Sequence, residues 1–189
     1  MKVIFLDFDG VITIPPKWNI NADKLKYIKQ IVDATGAKIV ISSSWRCGVP
    51  PSLDLTIEKM LGRPKRCPRN KMINWFIDNL YDVTPIYSSP RGKEIQEYLN
   101  QHPDVENYVI IDDDSDMLDE QLFHFVETNY EDGITELETN WSIKILNRKY
   151  FQNSMAINFT LRQQWRNKCE GLPNRVEEIW KYNDHNKTV

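Results

Sequence analysis

Cysteine is scarce in this sequence. The three present, Cys47, Cys67 and Cys169, are scattered and odd in number. No Cys-x-x-Cys pair occurs, which argues against a disulfide framework and against a thiolate zinc site. Histidine is as rare: His102, His124 and His185 fit no metal-ligand spacing. No apolar run approaches the roughly 20 residues that a membrane span needs. Lys2 is followed by only a short apolar stretch before Asp7, which reads against a secretory leader. The expected setting is the reducing cytosol, a cytoplasmic location with no membrane contact. Positive charge is not in excess either. A formal net charge of −3 excludes a polycation that coats nucleic acid through its whole surface. Internal repeats and low-complexity segments are absent.

What is present suffices for a core. The 189 residues are 41% hydrophobic and 11% aromatic, and 27% are charged. That length suggests one domain with a small appendage. An apolar run about 2 to 7 predicts a buried strand. Asn21 then precedes a helical pattern carrying Leu25, Ile28, Ile31 and Val32, and Gly36 is placed to end it. Lys38 to Ile41 and Tyr108 to Ile111 are further short apolar runs of buried-strand type, and Phe123 to Glu127 is a fourth. Residues 50 to 80 read as two helices, with Leu53, Ile57, Met60 and Leu61 on one face and Met72, Ile73, Phe76, Ile77 and Leu80 on the other. A turn at Ser88-Ser89-Pro90 leads into a helix carrying Ile95, Tyr98 and Leu99. Strands alternating with helices predict an α/β fold with a doubly wound parallel sheet. The core is expected over 1–149. Residues 150–189 offer Leu161, Trp165, Val176, Ile179 and Trp180 at helical spacing and read as a C-terminal helical appendage, placed to pack on the core or to self-associate.

The chemistry gathers at three strand ends. Asp7 and Asp9 leave the first strand, Ser42 to Ser44 leave the second, and Asp112 and Asp113 leave the third. Ligands of open α/β sheets bind outside the carboxyl ends of the strands, so parallel order would bring these groups to one edge. Carboxylates crowded at one point repel, and a divalent cation relieves that repulsion. All-oxygen ligation suits Mg2+ shared with a substrate phosphate. One acid can then attack phosphorus, and another can carry a proton to and from the reacting oxygens. A serine hydroxyl and the ammonium of Lys93 can hold the phosphoryl oxygens.

These residues resemble the haloacid dehalogenase (HAD) superfamily. Asp-x-Asp-Gly-Val at 7 to 11, a strand ending in serine at 42, a helix-starting Lys93 and Ile-Asp-Asp at 111 to 113 follow the order of its motifs. Ile-Ser-Ser-Ser-Trp-Arg at 41 to 46, Val-Ile-Ile-Asp-Asp-Asp-Ser-Asp-Met-Leu at 109 to 118, and Phe-Val-Glu-Thr followed by Gly133-Ile134-Thr135 are similar to the HAD domain of Swiss Army Knife RNA repair proteins. Polynucleotide 3′-phosphatase domains look like more distant relatives. The resemblance implies a HAD-type phosphatase. Asp7 would be the nucleophile and Asp9 the general acid/base. Ser42 and Lys93 would position the phosphate, and the Mg2+ ligands would be Asp7, Asp9, Asp112 and Asp113. It implies a substrate that is a phosphorylated nucleotide or nucleic-acid end.

Several choices stay open at this level. The phosphate-binding serine is Ser42 or Ser43, and Asp113 is favoured over Asp112 as the metal ligand. Trp45 and Arg46 could stack on a base and bind a phosphate, or could pack and pair with a carboxylate. Arg63, Lys65, Arg66, Arg69 and Lys71 crowd one loop, either as a patch for a polyanion or as a solvated run. Neither the Asp9–Ser42 interval nor the Lys93–Asp112 interval is long enough for a large cap domain. The expected site is therefore open, which suits a bulky substrate. A small-molecule 5′-nucleotidase and a nucleotide- or oligonucleotide-binding protein without turnover remain as alternatives.

Overall fold

The first strand, β1 (Lys2–Leu6), is buried from Val3 onward, as an apolar run flanked by strands on both sides must be. A computed structural model of the chain describes residues 1–87 and 90–148. The appendage expected over 150–189, its self-association and the Ser88-Ser89 turn lie outside the described residues. Met1–Asn147 forms one compact unit.

After β1 the chain turns tightly, with the amides of Val11, Ile12 and Thr13 all donating to the Phe8 carbonyl. Helix α1 (Ala22–Thr35) starts where the sequence indicates: the Asn21 side chain accepts from the Asp23 amide, and Gly36 at φ 68° closes the other end. Then come β2 (Lys38–Ile41), a small hairpin of β3 (Cys47–Gly48) and β4 (Pro51–Ser52), and α2 (Leu53–Leu61). Helix α3 (Lys71–Asp78) follows the loop broken by prolines, capped by Asn70 through two amides. It stops at Asn79, so Leu80 belongs not to its apolar face but to an extra strand, β5 (Leu80–Val83). That strand is hard to see in sequence because Tyr81 is exposed and Asp82 half-buried, as befits a sheet edge. The chain continues through α4 (Arg91–Gln101), β6 (Asn107–Asp112), β7 (Phe125–Glu127) and α5 (Glu136–Leu146). Thr135 and Glu138 form a capping box at the start of α5.

The sheet has the order β5-β2-β1-β6-β7, and each pairing is parallel. Phe5 at its centre meets Tyr98 of α4 and Tyr108 of β6 edge-on, at 5.4 and 5.7 Å between ring centroids. Deleting such a ring costs about 3–5 kcal/mol. Register decides the site. Leu6 pairs with Ile41 on one side and Ile111 on the other. Asp7, Ser42 and Asp112, each the next residue, therefore emerge level at one edge of the sheet. No large cap domain interrupts the unit; the hairpin and α2 are the only additions after β2 among the described residues. Cys47 and Cys67 are free thiols. Among the described residues no helix is long and apolar enough to cross a membrane.

Candidate active site

One oxygen each of Asp7, Asp112 and Asp113 lies within 4.8 Å of the others. Asp7 and Asp112 are buried, and Asp113 is half-buried. The backbone holds them there: the Asp7 amide donates to the Ile111 carbonyl at 3.0 Å, and the Asp114 amide donates to the Asp112 carboxylate at 3.0 Å. Gly10, at φ 73°, makes room for the third acid. A Cβ at this position would lie 2.3 Å from Asp113 Cγ, so no other residue fits without moving that carboxylate.

The electrostatics follow from crowding. Burial pushes the Asp7 carboxyl up, more than the adjacent Arg91 pulls it down. Burial, then the Asp7 charge, raises Asp112 to about 8, and the same causes raise Asp113 to about 6. The Arg91 guanidinium is the counterweight. Its Nη1 bonds Asp7 Oδ1 and the Ser42 carbonyl, the latter at 2.7 Å. It also lies 3.3 Å from Asp112 Oδ2, but not in a hydrogen-bonding direction, so that buried oxygen has no donor among the described residues. Burial opposes the guanidinium charge, yet Asp7 and Asp112 together raise the Arg91 pKa above its ordinary value.

Of the two serines, Ser43 accepts from the Trp45 amide at 3.4 Å, and its hydroxyl is near enough to Asp7 to pull that carboxyl's pKa down. Ser42 contributes its carbonyl to Arg91, and its buried hydroxyl has no hydrogen-bond partner among the described residues. Asp9 stands apart from the triad. Thr13 Oγ1 donates to its Oδ1 at 2.6 Å and Trp45 Nε1 to its Oδ2 at 3.0 Å, while Arg66 Nη2 lies 3.7 Å away. The Asp9 side chain, assigned from sequence as a metal ligand, is thus turned towards Trp45 and away from the acid cluster. Two residues on from Asp7, it hangs on a turn rather than a strand.

Two other assignments also land elsewhere. Lys93, assigned to the phosphate, is exposed on α4, and the cation of that helix that reaches the acid cluster is Arg91. Two residues along a helix turn the side chain by about 200°, so the two cations face opposite ways. Arg46, considered as a phosphate ligand, is buried and pairs with Glu94 at 2.7 Å while donating to the Ser43 carbonyl at 2.8 Å. It braces the serine loop. Trp45 packs on Phe8 with ring centroids 5.4 Å apart, and its indole nitrogen is spent on Asp9. Sequence reasoning missed Arg91, Thr13 and Glu94 as parts of the site, and it counted Arg66 only within a basic run. The phase of α4, read from Ile95 and Tyr98, could have found Arg91. Nothing local marks Arg66, which comes from a distant loop to lie over the Trp45 ring at 4.6 Å.

The family model for the HAD domain in Swiss Army Knife RNA repair proteins matches residues 3–139. The chain belongs to this family. No curated protein and no solved structure matches it. The match spans all the site residues described above, from Asp7 to Asp113. Membership places the chain in the HAD superfamily of hydrolases and phosphatases, and the five-stranded parallel sheet with flanking helices agrees.

HAD domains generally use Mg2+, and the donor set here fits one. Three carboxylates converge, one buried carboxylate oxygen lacks a donor among the described residues, and two of the acids are held well above their ordinary pKa by burial and then by mutual repulsion. Asp7, Asp112 and Asp113 offer the hard oxygen ligands such an ion takes. The neighbouring Arg91 supplies one positive charge against three carboxylates, which leaves the cluster short of cation.

Proposed function

We propose that this HAD domain is a Mg2+-dependent phosphomonoesterase that works through an aspartyl-phosphate on Asp7. The observation that carries the reading is the meeting of Asp7, Asp112, Asp113 and Arg91 at one strand edge, with Asp9 on the adjoining turn. The Asp7 oxygen attacks phosphorus and the ester P–O bond breaks. Asp9 gives its proton to the leaving oxygen. Water then attacks the phosphorus of the Asp7 acyl phosphate, Asp9 takes a proton from that water, and inorganic phosphate leaves. Arg91 and the Ser43 hydroxyl hold the nucleophile and face the charge that builds on the phosphoryl oxygens. When bound, Mg2+ supplies neutralisation of the clustered carboxylates and of that same phosphoryl charge.

The substrate class in this proposal is a phosphorylated nucleic-acid end or nucleotide. Two things support it: the repair context of the family and the lack, among the described residues, of a large cap over the site. Phosphate release from p-nitrophenyl phosphate and from a 3′-phosphorylated oligonucleotide, with and without Mg2+, tests the reading. Wild-type protein should turn over both only with metal. Asp7→Asn should release nothing while keeping its circular dichroism spectrum. Equal release by that variant sinks the nucleophile assignment. Tight oligonucleotide binding with no release by the wild type sinks the enzyme.

A further inference from the structure

Beside Asp9 opens a pocket of about 210 Å3, walled by Trp45 and Met60 and edged by Lys59, Arg63 and Arg66. Its lining comes largely from α2 and the loop that follows. Among the described residues Asp9 is its only acidic lining residue, set against three cations. Arg66 is held in place by its Nε bond to the Trp18 carbonyl at 3.0 Å and by its seat over the Trp45 ring. Among the described residues no hydrogen bond takes its terminal nitrogens; the nearest carboxylate, Asp9, is 3.7 Å away. We infer that this pocket receives a second phosphate carried by the leaving group of the substrate.

The inference rests on the phosphatase reading for its direction. A general acid must lie within hydrogen-bond reach of the oxygen it protonates, so the leaving group has to sit on the Asp9 side. The pocket that opens there is where that group goes. Its lining then describes the group. Lysine and arginine edges suit an anion, and arginine forks match phosphate geometry. The volume falls below the ~300–1,000 Å3 usual for a whole small-molecule ligand, so it suits a phosphate and sugar, with the base left outside. The matching substrate is a phosphomonoester with another phosphate one sugar away. A nucleoside 3′,5′-bisphosphate and a 3′-phosphorylated dinucleotide share that chemistry. The basic loop is thereby divided: Arg63 and Arg66 line the pocket, whereas Lys65 and Arg69 do not.

Steady-state kinetics on a nucleoside 3′-monophosphate, the 3′,5′-bisphosphate and the 3′-phosphorylated dinucleotide test this. Wild-type protein should favour at least one of the doubly phosphorylated substrates over the monophosphate by about tenfold in kcat/KM. The better of those two names the source, free nucleotide or strand end. Lys59→Gln with Arg63→Gln should bring the preference close to one, mainly through KM, and Lys65→Gln with Arg69→Gln should preserve it. Equal kcat/KM for mono- and doubly phosphorylated substrates overturns the inference. So does an equal loss of preference in the two double variants, which would indicate only a diffuse basic surface. If p-nitrophenyl phosphate is not hydrolysed either, the phosphatase reading has failed instead. Calorimetry of Asp7→Asn then decides the subsite alone: tighter binding of the bisphosphate than the monophosphate, lost with Lys59→Gln and Arg63→Gln, supports it, and equal binding removes it.

Discussion

Arg46 and Glu94 meet at 2.7 Å with their side chains only 4% and 8% exposed. Each end of the pair holds backbone. Arg46 donates to the Ser43 carbonyl, and Glu94 accepts from the Tyr87 amide at 2.8 Å. The pair therefore ties the serine loop after β2 to α4, which presents Arg91.

Removing one partner leaves a buried charge uncompensated. Glu94→Ala should lower stability by about 3–5 kcal/mol. The double variant Arg46→Ala/Glu94→Ala should lose clearly less than the sum of the two single losses. Urea denaturation of the three variants gives the coupling. Additive losses would show that the two residues act separately.

Arg91, not Lys93, is expected to serve the reaction. Arg91→Lys cannot reproduce the contacts with Asp7 and the Ser42 carbonyl, and kcat should fall by about 100-fold. Lys93→Gln should stay within about twofold of wild type, because its side chain is exposed on the far side of α4. The reverse ranking in phosphate-release assays would return the role to Lys93.

The acid cluster makes metal-free stability depend on pH. A carboxyl whose pKa is higher folded than unfolded favours the folded state below the unfolded pKa, and that contribution is lost as pH climbs through the folded pKa. Asp112 rises from 3.8 to about 8 and Asp113 from 3.8 to about 6, so the loss should run from about pH 4 to about pH 8. Thermal melts in chelator should show Tm falling across that window. Mg2+ should raise Tm more at about pH 8 than at about pH 5, since the ligands must be ionised. Asp113→Asn should flatten both trends. A metal-free Tm that climbs from about pH 5 to about pH 8 contradicts this account.

Gly10 is the steric hinge of the cluster. Gly10→Ala places a Cβ 2.3 Å from Asp113 Cγ at a positive φ, and should cost about 1–3 kcal/mol. Mg2+ protection in the same melts should weaken with it, because Asp113 must move. Unchanged protection would mean that Asp113 is not a ligand.

Local rules made much of this legible. The apolar runs at β1, β2 and β6 are buried in the middle of the sheet, so their composition alone announces them, and Asn21 and Gly36 bracket α1 by capping chemistry that needs no tertiary partner. β5 escaped notice because, among the described residues, it pairs on only one side, and half its residues are polar. The hairpin β3–β4 is too short for any periodicity, and α5 offers only a weakly amphipathic face.

The linear chain determined which chemistry is possible: acids at the ends of two buried strands and a serine at the end of a third follow from composition and strand length. Tertiary structure alone decided which groups meet. Parallel register brought Asp7 level with Asp112, helix phase chose Arg91 over Lys93, and packing turned Arg46 inward to Glu94 while leading Arg66 across to Trp45. The physical reason is range. Burial and capping act over a few neighbouring residues, whereas the facing of a side chain towards a distant charge is set only once sheet and helices have docked.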